Sequence, residues 1–233
     1  MAAAGFRVAV IDRDAEAASA RVAAIGRGAA TIIADCGDVA GIHAAFAEVD
    51  TRFGRIDVLV NNAGTTFQSS LLGLDEEGWD LVNRTNIKGA FFAMQAAAKR
   101  MVAQGLEGCI VNMGSIFGRG YPDAANPAYV ATKGGLVALT WYAAHQLAPQ
   151  GITVNAVGPG ITMTPLLRSA IAQRAELAGH DIDDAFDAIR ARVPLRRFNE
   201  PEDVAAAVGF LCSKAGRNIT GQAINVDGGL VTN

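Results

Sequence analysis

The sequence has little of what metal and redox centres are built from. Its three cysteines, Cys36, Cys109 and Cys212, are scattered without metal-ligand spacing, and two lie within apolar runs, so they read as reduced thiols. The three histidines, His43, His145 and His180, are equally scattered and have none of the partners that a catalytic or metal role needs, so no metal site is expected. Aromatic residues are only 6% of the chain while alanine and glycine are abundant, which suits helices packed closely on a sheet. Neither sign of charge dominates: 20 basic residues face 23 acidic ones, and a net charge of −3 argues against nucleic-acid and anionic-membrane partners. There is no uninterrupted apolar stretch of about 18 residues and no charged-then-apolar leader, so the expected setting is the cytoplasm. Repeats, linkers and low-complexity tracts are also missing, and 233 residues with 51% hydrophobic content suit one domain spanning 1–233.

What is present is an alternation. Short apolar runs near 6–11, 30–34, 56–60, 108–113, 152–157 and 222–226 read as strands. Between them, 14–25, 38–53, 75–83, 86–104, 127–148 and 201–214 carry helical periodicity, with Gly26 as a C-cap and Pro201 in a first helical turn. This pattern predicts an α/β fold: a doubly wound, Rossmann-type parallel sheet with helices on both faces.

One constellation carries chemistry. Tyr129 and Lys133 are four residues apart on a predicted helix, so their side chains share a face with Cβ atoms about 5–6 Å apart. A phenol titrates at about 10 in water, and a nearby ammonium favours its anion, which suits Tyr129 to general acid/base work on an alcohol or ketone. Ser115, at the end of the apolar run Cys109–Met113, is placed to hold the substrate oxygen. Asn61-Asn62-Ala63-Gly64 follows another strand, and Asn86 heads an apolar helix. Singly, each has a plainer reading: an exposed Tyr–Lys face, a serine in a turn or cap, an asparagine at a helix start. Their order along one chain is what points to hydride transfer.

From Gly5 to the C-terminus the sequence resembles the short-chain dehydrogenase/reductase family. Asn61-Asn62-Ala63-Gly64 is similar to the family's NNAG turn, and Asn86, Ser115, Tyr129 and Lys133 to its catalytic asparagine, serine and YxxxK pair. The resemblance implies that Lys133 lowers the Tyr129 pKa and binds the nicotinamide ribose, and that Asn86 holds a water linking Lys133 to solvent. It also implies cofactor contacts from Asn62, Ala63 and Gly64, and from Pro159, Gly160, Thr162 and Thr164 around the nicotinamide. The stretch Ile219–Gly229 is similar to the family's last strand. Asp35 and Cys36 occupy the family's adenine-contact position, although a turn leading into a helix explains them equally well.

Asp12 bears on cofactor choice. At a strand end a carboxylate accepts hydrogen bonds from the adenosine ribose hydroxyls and repels a 2′-phosphate, which favours NAD over NADP. Against this, Asp12 and Asp14 also suit a helix cap, and Arg13 partly offsets the repulsion. The family's opening strand and glycine-rich turn are missing from this sequence, a portion of about 30 residues. The expectation is therefore a chain that starts late, with an unfilled slot between the strands at 6–11 and 56–60, or with those two strands closed up on each other. Substrate specificity is expected in Ile116–Pro122 and in a lid at 163–199, which holds Arg168, Arg174, Arg190, Arg192, Arg196 and Arg197. Polyols or sugars, 3-oxoacyl thioesters and cyclic ketones all remain open. The resemblance further implies a homotetramer, with helices 86–104 and 127–148 at one two-fold interface and helix 201–214 and the last strand at another. The other class of function is a catalytically impaired family member that serves only as an oligomer partner.

Overall fold

The computed structural model describes residues 1–26, 28–122, 126–179 and 181–232. His180 and the side chain of Arg174, both named above, lie outside the described residues, as do the side chains at 166, 170, 173, 177 and 178. A single helical turn at Ala2–Ala4 ends on Gly5, whose φ of 88° is left-handed. There follow β1 (Ala9–Asp12), α1 (Ala15–Ile25), β2 (Ala30–Ile33), α2 (Val39–Phe53), β3 (Val58–Asn61), α3 (Glu76–Asn83), α4 (Ala90–Ala103) and β4 (Gly108–Met113). The second half contributes α5 (Pro127–Leu147), β5 (Ile152–Pro159), α6 (Pro165–Ala178), α7 (Ile182–Arg190), α8 (Pro201–Leu211) and β6 (Ala223–Val226).

Helix starts follow from local chemistry. The carboxylates of Asp14, Asp38, Asp75 and Asp181 accept first-turn amides of α1, α2, α3 and α7, supplying partners that helix geometry leaves wanting. Asn126 and Thr164 do the same for α5 and α6, each followed by a proline in the first turn. Three expected boundaries shift. β1 begins at Ala9 rather than at residue 6, because pairing with β2 starts at Ala9–Ala30 while Arg7 reaches instead to the Phe53 carbonyl, 2.8 Å away. α8 stops at Leu211, short of 214, and a separate turn takes Lys214–Gly216. The helix expected over 86–104 opens as a π-helical turn, Arg84–Gly89, before α4 begins.

Among the described residues every strand pair is parallel, and the strands form two sheets, β1-β2 and β3-β4-β5-β6. Along β4 the side chains alternate as a strand requires. Cys109, Val111 and Met113 join Val157, Val204, Val208 and Leu211 on the α8 face, while Ile110 joins Phe46, Met94, Met101, Ile152 and Val154 on the face covered by α2, α4 and α5. Burying one such aliphatic side chain contributes about 1.5–3 kcal/mol, so β4 and β5, covered on both faces, anchor the domain. Among the described residues β1 and β3 pair with no strand on their facing edges, so they have not closed up on each other. A cavity of about 990 Å³ lies between them, with Val8, Val10, Val58, Val60, Val204 and Val208 among its walls.

Candidate active site

The carboxyl ends of parallel strands, where α/β sheets bind ligands, carry the residues in question. β4 runs through Met113 to Ser115, which is buried and accepts the Phe117 amide at 3.2 Å. Tyr129 lies in the first turn of α5. Its helix start is set by Asn126, whose Oδ1 accepts the Ala128 and Tyr129 amides at 2.8 and 3.3 Å while its Nδ2 donates to the Phe67 carbonyl. Asn126 was not among the residues singled out from sequence, although Asn126-Pro127 is a legible helix-start signal. Ser115 stands close enough to the Tyr129 phenol to favour its anion.

Lys133, one turn further along α5, is buried and donates from Nζ to the Met113 carbonyl at 2.6 Å. Its Nζ stands 5.5 Å from the centroid of the Tyr129 ring. Burial disfavours the ammonium and lowers its pKa from 10.5 to about 8. The Tyr129 phenol is raised above its ordinary value, chiefly by burial, with Ser115 acting in the opposite direction. Burial is the largest influence on the phenol, and Lys133 does not figure among those that shift it; its ammonium is engaged by the Met113 carbonyl.

Asn86 lies within the π-turn, the kind of local irregularity that recurs at functional sites. Its Oδ1 accepts the Thr65 amide at 2.7 Å and its Nδ2 donates to the Thr65 carbonyl at 2.9 Å and to Thr132 Oγ1 at 3.3 Å. The amide expected to hold a water is thus engaged by Thr65, in the irregular segment that follows the Asn62-Ala63-Gly64 turn. Gly64 rests on this group: a Cβ there would stand 3.4 Å from Asn86 Oδ1 and 3.6 Å from Lys133 Nζ. Beneath lies a buried polar chain that sequence reasoning missed, in which Asn61 Nδ2 donates to Asn112 Oδ1 at 2.8 Å and Asn112 Nδ2 to Thr140 Oγ1 at 2.9 Å. It ties β3, β4 and α5 together below the site, and a buried asparagine stays only where its amide is satisfied.

The remaining candidates fall at the same edge. Asp12 is exposed at the tip of β1, and its Oδ1 accepts the Asp14 amide at 3.0 Å while Asp14 caps α1. Asp35 accepts the Gly37 amide at 2.7 Å. Between them Cys36 is half-buried, and its thiol pKa is raised by burial and by the charges of Asp12 and Asp35. Gly89 must be glycine, because a Cβ would stand 1.9 Å from the Cys36 carbonyl oxygen. Pro159 ends β5, and Gly160 donates its amide to the Val226 carbonyl at 2.8 Å with its α-carbon pressed against Asp227. Thr162 donates to the Gly160 carbonyl, and Thr164 caps α6.

Two stretches named for specificity meet. Phe117 packs 6.2 Å from the Tyr129 ring and 5.7 Å from Tyr121, whose hydroxyl accepts from Arg192 at 2.8 Å. The segment 163–199 forms α6 and α7, with Arg168 over the Phe186 ring and Phe186 edge-on to Phe198. Among the described residues no group of three or more His, Cys, Asp or Glu side chains is placed to hold a metal ion, and no helix is long and apolar enough to cross a membrane.

A family model described as enoyl-(acyl carrier protein) reductase matches residues 1–231. The chain belongs to the short-chain dehydrogenase/reductase family. A 3-oxoacyl-[acyl-carrier-protein] reductase FabG of Staphylococcus aureus is 39% identical over 231 residues, covering 97% of this chain and 88% of the relative. Among solved structures, a 3-ketoacyl-(acyl-carrier-protein) reductase from Brucella melitensis complexed with NADH is 33% identical, with a TM-score of 0.84 over 98% of this chain and 89% of that one. An actinorhodin polyketide ketoreductase variant with NADPH is 36% identical, with a TM-score of 0.91 over the same shares of the two chains, 98% and 89%. As a short-chain dehydrogenase/reductase, the protein is an NAD(P)-dependent oxidoreductase acting on CH–OH or ketone groups.

Proposed function

We propose that the protein reduces the ketone of a 3-oxoacyl thioester, with Tyr129 as proton donor, Ser115 as the hydrogen-bond partner of the ketone oxygen, and Lys133 and Asn86 holding the two in place. The observation that carries this reading is the Ser115–Tyr129 hydroxyl pair at the end of β4, with a phenol that burial keeps protonated at neutral pH. A protonated phenol beside a second hydroxyl supplies a proton where negative charge grows on a ketone oxygen. The substrate class rests on the acyl-carrier-protein reductases among the relatives and on the apolar wall of Phe117 and Tyr121 beside Tyr129.

The chain's residues fit a dinucleotide at both ends. The exposed Asp12 carboxylate suits a ribose diol, with Asp35 and Cys36 beside it, and the backbone of Asn62-Ala63-Gly64 lies over Asn86 and Lys133. Pro159, Gly160, Thr162 and Thr164 line the end of β5, where a carboxamide finds backbone partners. When bound, the nicotinamide supplies the hydride. Lys133, within reach of Gly64, holds the ribose at that end. Asp12 favours NADH over NADPH through repulsion of a 2′-phosphate. The segment 163–199 acts as the substrate lid, its Arg192 joined to Tyr121 beneath it.

The assembly reading is a homotetramer. Trp141 and Tyr142 on α5 and Phe210 on α8 are exposed apolar side chains on the helices assigned to its two interfaces. The three free thiols agree with work in the reducing cytoplasm. Cofactor oxidation on adding acetoacetyl-coenzyme A tests the activity, with NADH and NADPH compared side by side. Turnover of sugars or cyclic ketones but not of the thioester would overturn the substrate class.

A further inference from the structure

Cys109 and Cys212 are 103 residues apart in sequence, yet their Sγ atoms lie 3.6 Å from each other. Cys109 is buried near the start of β4, and Cys212 is half-buried immediately after the last residue of α8. Both belong to one apolar cluster with Val111, Val208 and Leu211, and the Cys109 thiol also lies 3.5 Å from the Leu211 carbonyl. The reduced pair is therefore held by long-range packing on both sides. A disulfide has an S–S distance of about 2.05 Å, so the two sulfurs need to approach by only about 1.5 Å. Cys212, just past the last residue of α8 and half-buried within the chain, is the more accessible of the two thiols to an oxidant as small as a peroxide.

We propose that Cys109 and Cys212 form a reversible disulfide that staples α8 to β4 when the protein meets a peroxide. A thiolate of the pair attacks one oxygen of hydrogen peroxide, the O–O bond breaks, and the departing hydroxide takes up the proton that the thiol had released and leaves as water. The second thiol then attacks the sulfenic sulfur, the S–S bond forms as S–O breaks, and a second water leaves. Two thiols are oxidised by two electrons in all, and one peroxide is reduced to two waters. Proximity favours the first step as well as the second. The remaining S–H donates to the thiolate, so the first proton leaves the pair more easily, with Cys109 lowered to about 7, and the second more reluctantly, with Cys212 raised. Cys36 has no cysteine beside it, and its pKa is raised, which protects it from the same reaction.

The staple closes a loop of about a hundred residues, and a cross-link restrains the unfolded chain more the longer the loop it closes. It lies at the opposite end of β4 from Ser115, some 20 Å away at about 3.3 Å per residue. Its expected effect is on stability and not on turnover.

The test is treatment of the purified protein with a few equivalents of hydrogen peroxide, followed by thiol titration, non-reducing peptide mapping and a melting curve. Titratable thiols should fall from three to one, a peptide joining Cys109 to Cys212 should appear, and Tm should rise by about 5–15 °C, all reversed by dithiothreitol. Cys36→Ser should keep the linked peptide and the rise, and Cys212→Ser should lose both. Cys212 is the position to change because substitution of the buried Cys109 also disturbs the core. Peroxide that consumes thiols without linking 109 to 212, or a Tm rise that survives Cys212→Ser, would overturn the proposal.

Discussion

β4 and β5 are paired along both edges, and from Cys109 to Met113 every residue of β4 is buried. β1 is paired along one edge, none of its residues is fully buried, and its other edge borders a cavity of about 990 Å³. The candidate catalytic residues hang from the first region: Ser115 follows β4, and Lys133 is bonded to the Met113 carbonyl. The candidate cofactor-selecting residues Asp12, Asp35 and Cys36 hang from the second. Proton transfer needs atoms held to within tenths of an ångström, and the doubly paired strands supply that stiffness. Holding a ribose tolerates more freedom, and the two-stranded sheet provides less support.

The comparison breaks most sharply at the reacting atoms. Tyr129→Phe should lower kcat by about 10²–10⁴-fold with NAD(P)H affinity nearly unchanged, measured by steady-state kinetics and cofactor titration. Wild-type turnover would show that the Ser115–Tyr129 pair does not carry the chemistry. Second in size is the contrast in packing. Ile110→Ala, in the fully buried face of β4, should cost about 2–5 kcal/mol, while Val10→Ala on half-buried β1 should cost about 1 kcal/mol, both by denaturant unfolding. Amide exchange should follow the same order, with β4 and β5 opening only on global unfolding and β1 well before it. Equal costs and equal protection would show that the cavity does not loosen the two-stranded sheet.

The third prediction turns on Lys133. Its pKa in the folded protein, about 8, lies below the ordinary 10.5, so between those values the unfolded chain binds a proton that the folded one does not. Stability then rises with pH across that window, by up to roughly 3 kcal/mol from this group, and the penalty is present in full below pH 8. Measured against Lys133→Met, the wild type should gain stability from pH 8 to 10.5, and a flat difference would mean that the ammonium is better satisfied than its burial indicates. The smallest effect is at the β1 tip, where Asp12→Ala should raise the NADPH-to-NADH preference by about tenfold in kcat/KM. A wild type that already prefers NADPH would remove Asp12 as the selector.

Much of this could be read from residues near one another in the chain. Asp14, Asp38 and Asp75 announce their helices because a cap acts over three residues, and Tyr129 and Lys133 share a face because a helix turns every 3.6. The α/β alternation follows from the period of the apolar runs. The positions of Ser115, Asn86 and the Asn62-Ala63-Gly64 turn relative to those elements were legible for the same reason, and the structure gathers them at one edge.

Tertiary structure decided what depends on strand order and register. No local signal places Asn112 between Asn61 and Thr140, turns the Asn86 amide to Thr65, or directs the Lys133 ammonium to the Met113 carbonyl. The same packing sets the pKa values, since burial, and not spacing, is the main influence on both the Tyr129 phenol and the Lys133 ammonium. The π-turn at Arg84–Gly89 coincides with Gly89 meeting the Cys36 carbonyl from another layer. Cys109 and Cys212 show the division most plainly: as letters 103 positions apart they carry no spacing signal, and only the packing of α8 on β4 makes them neighbours.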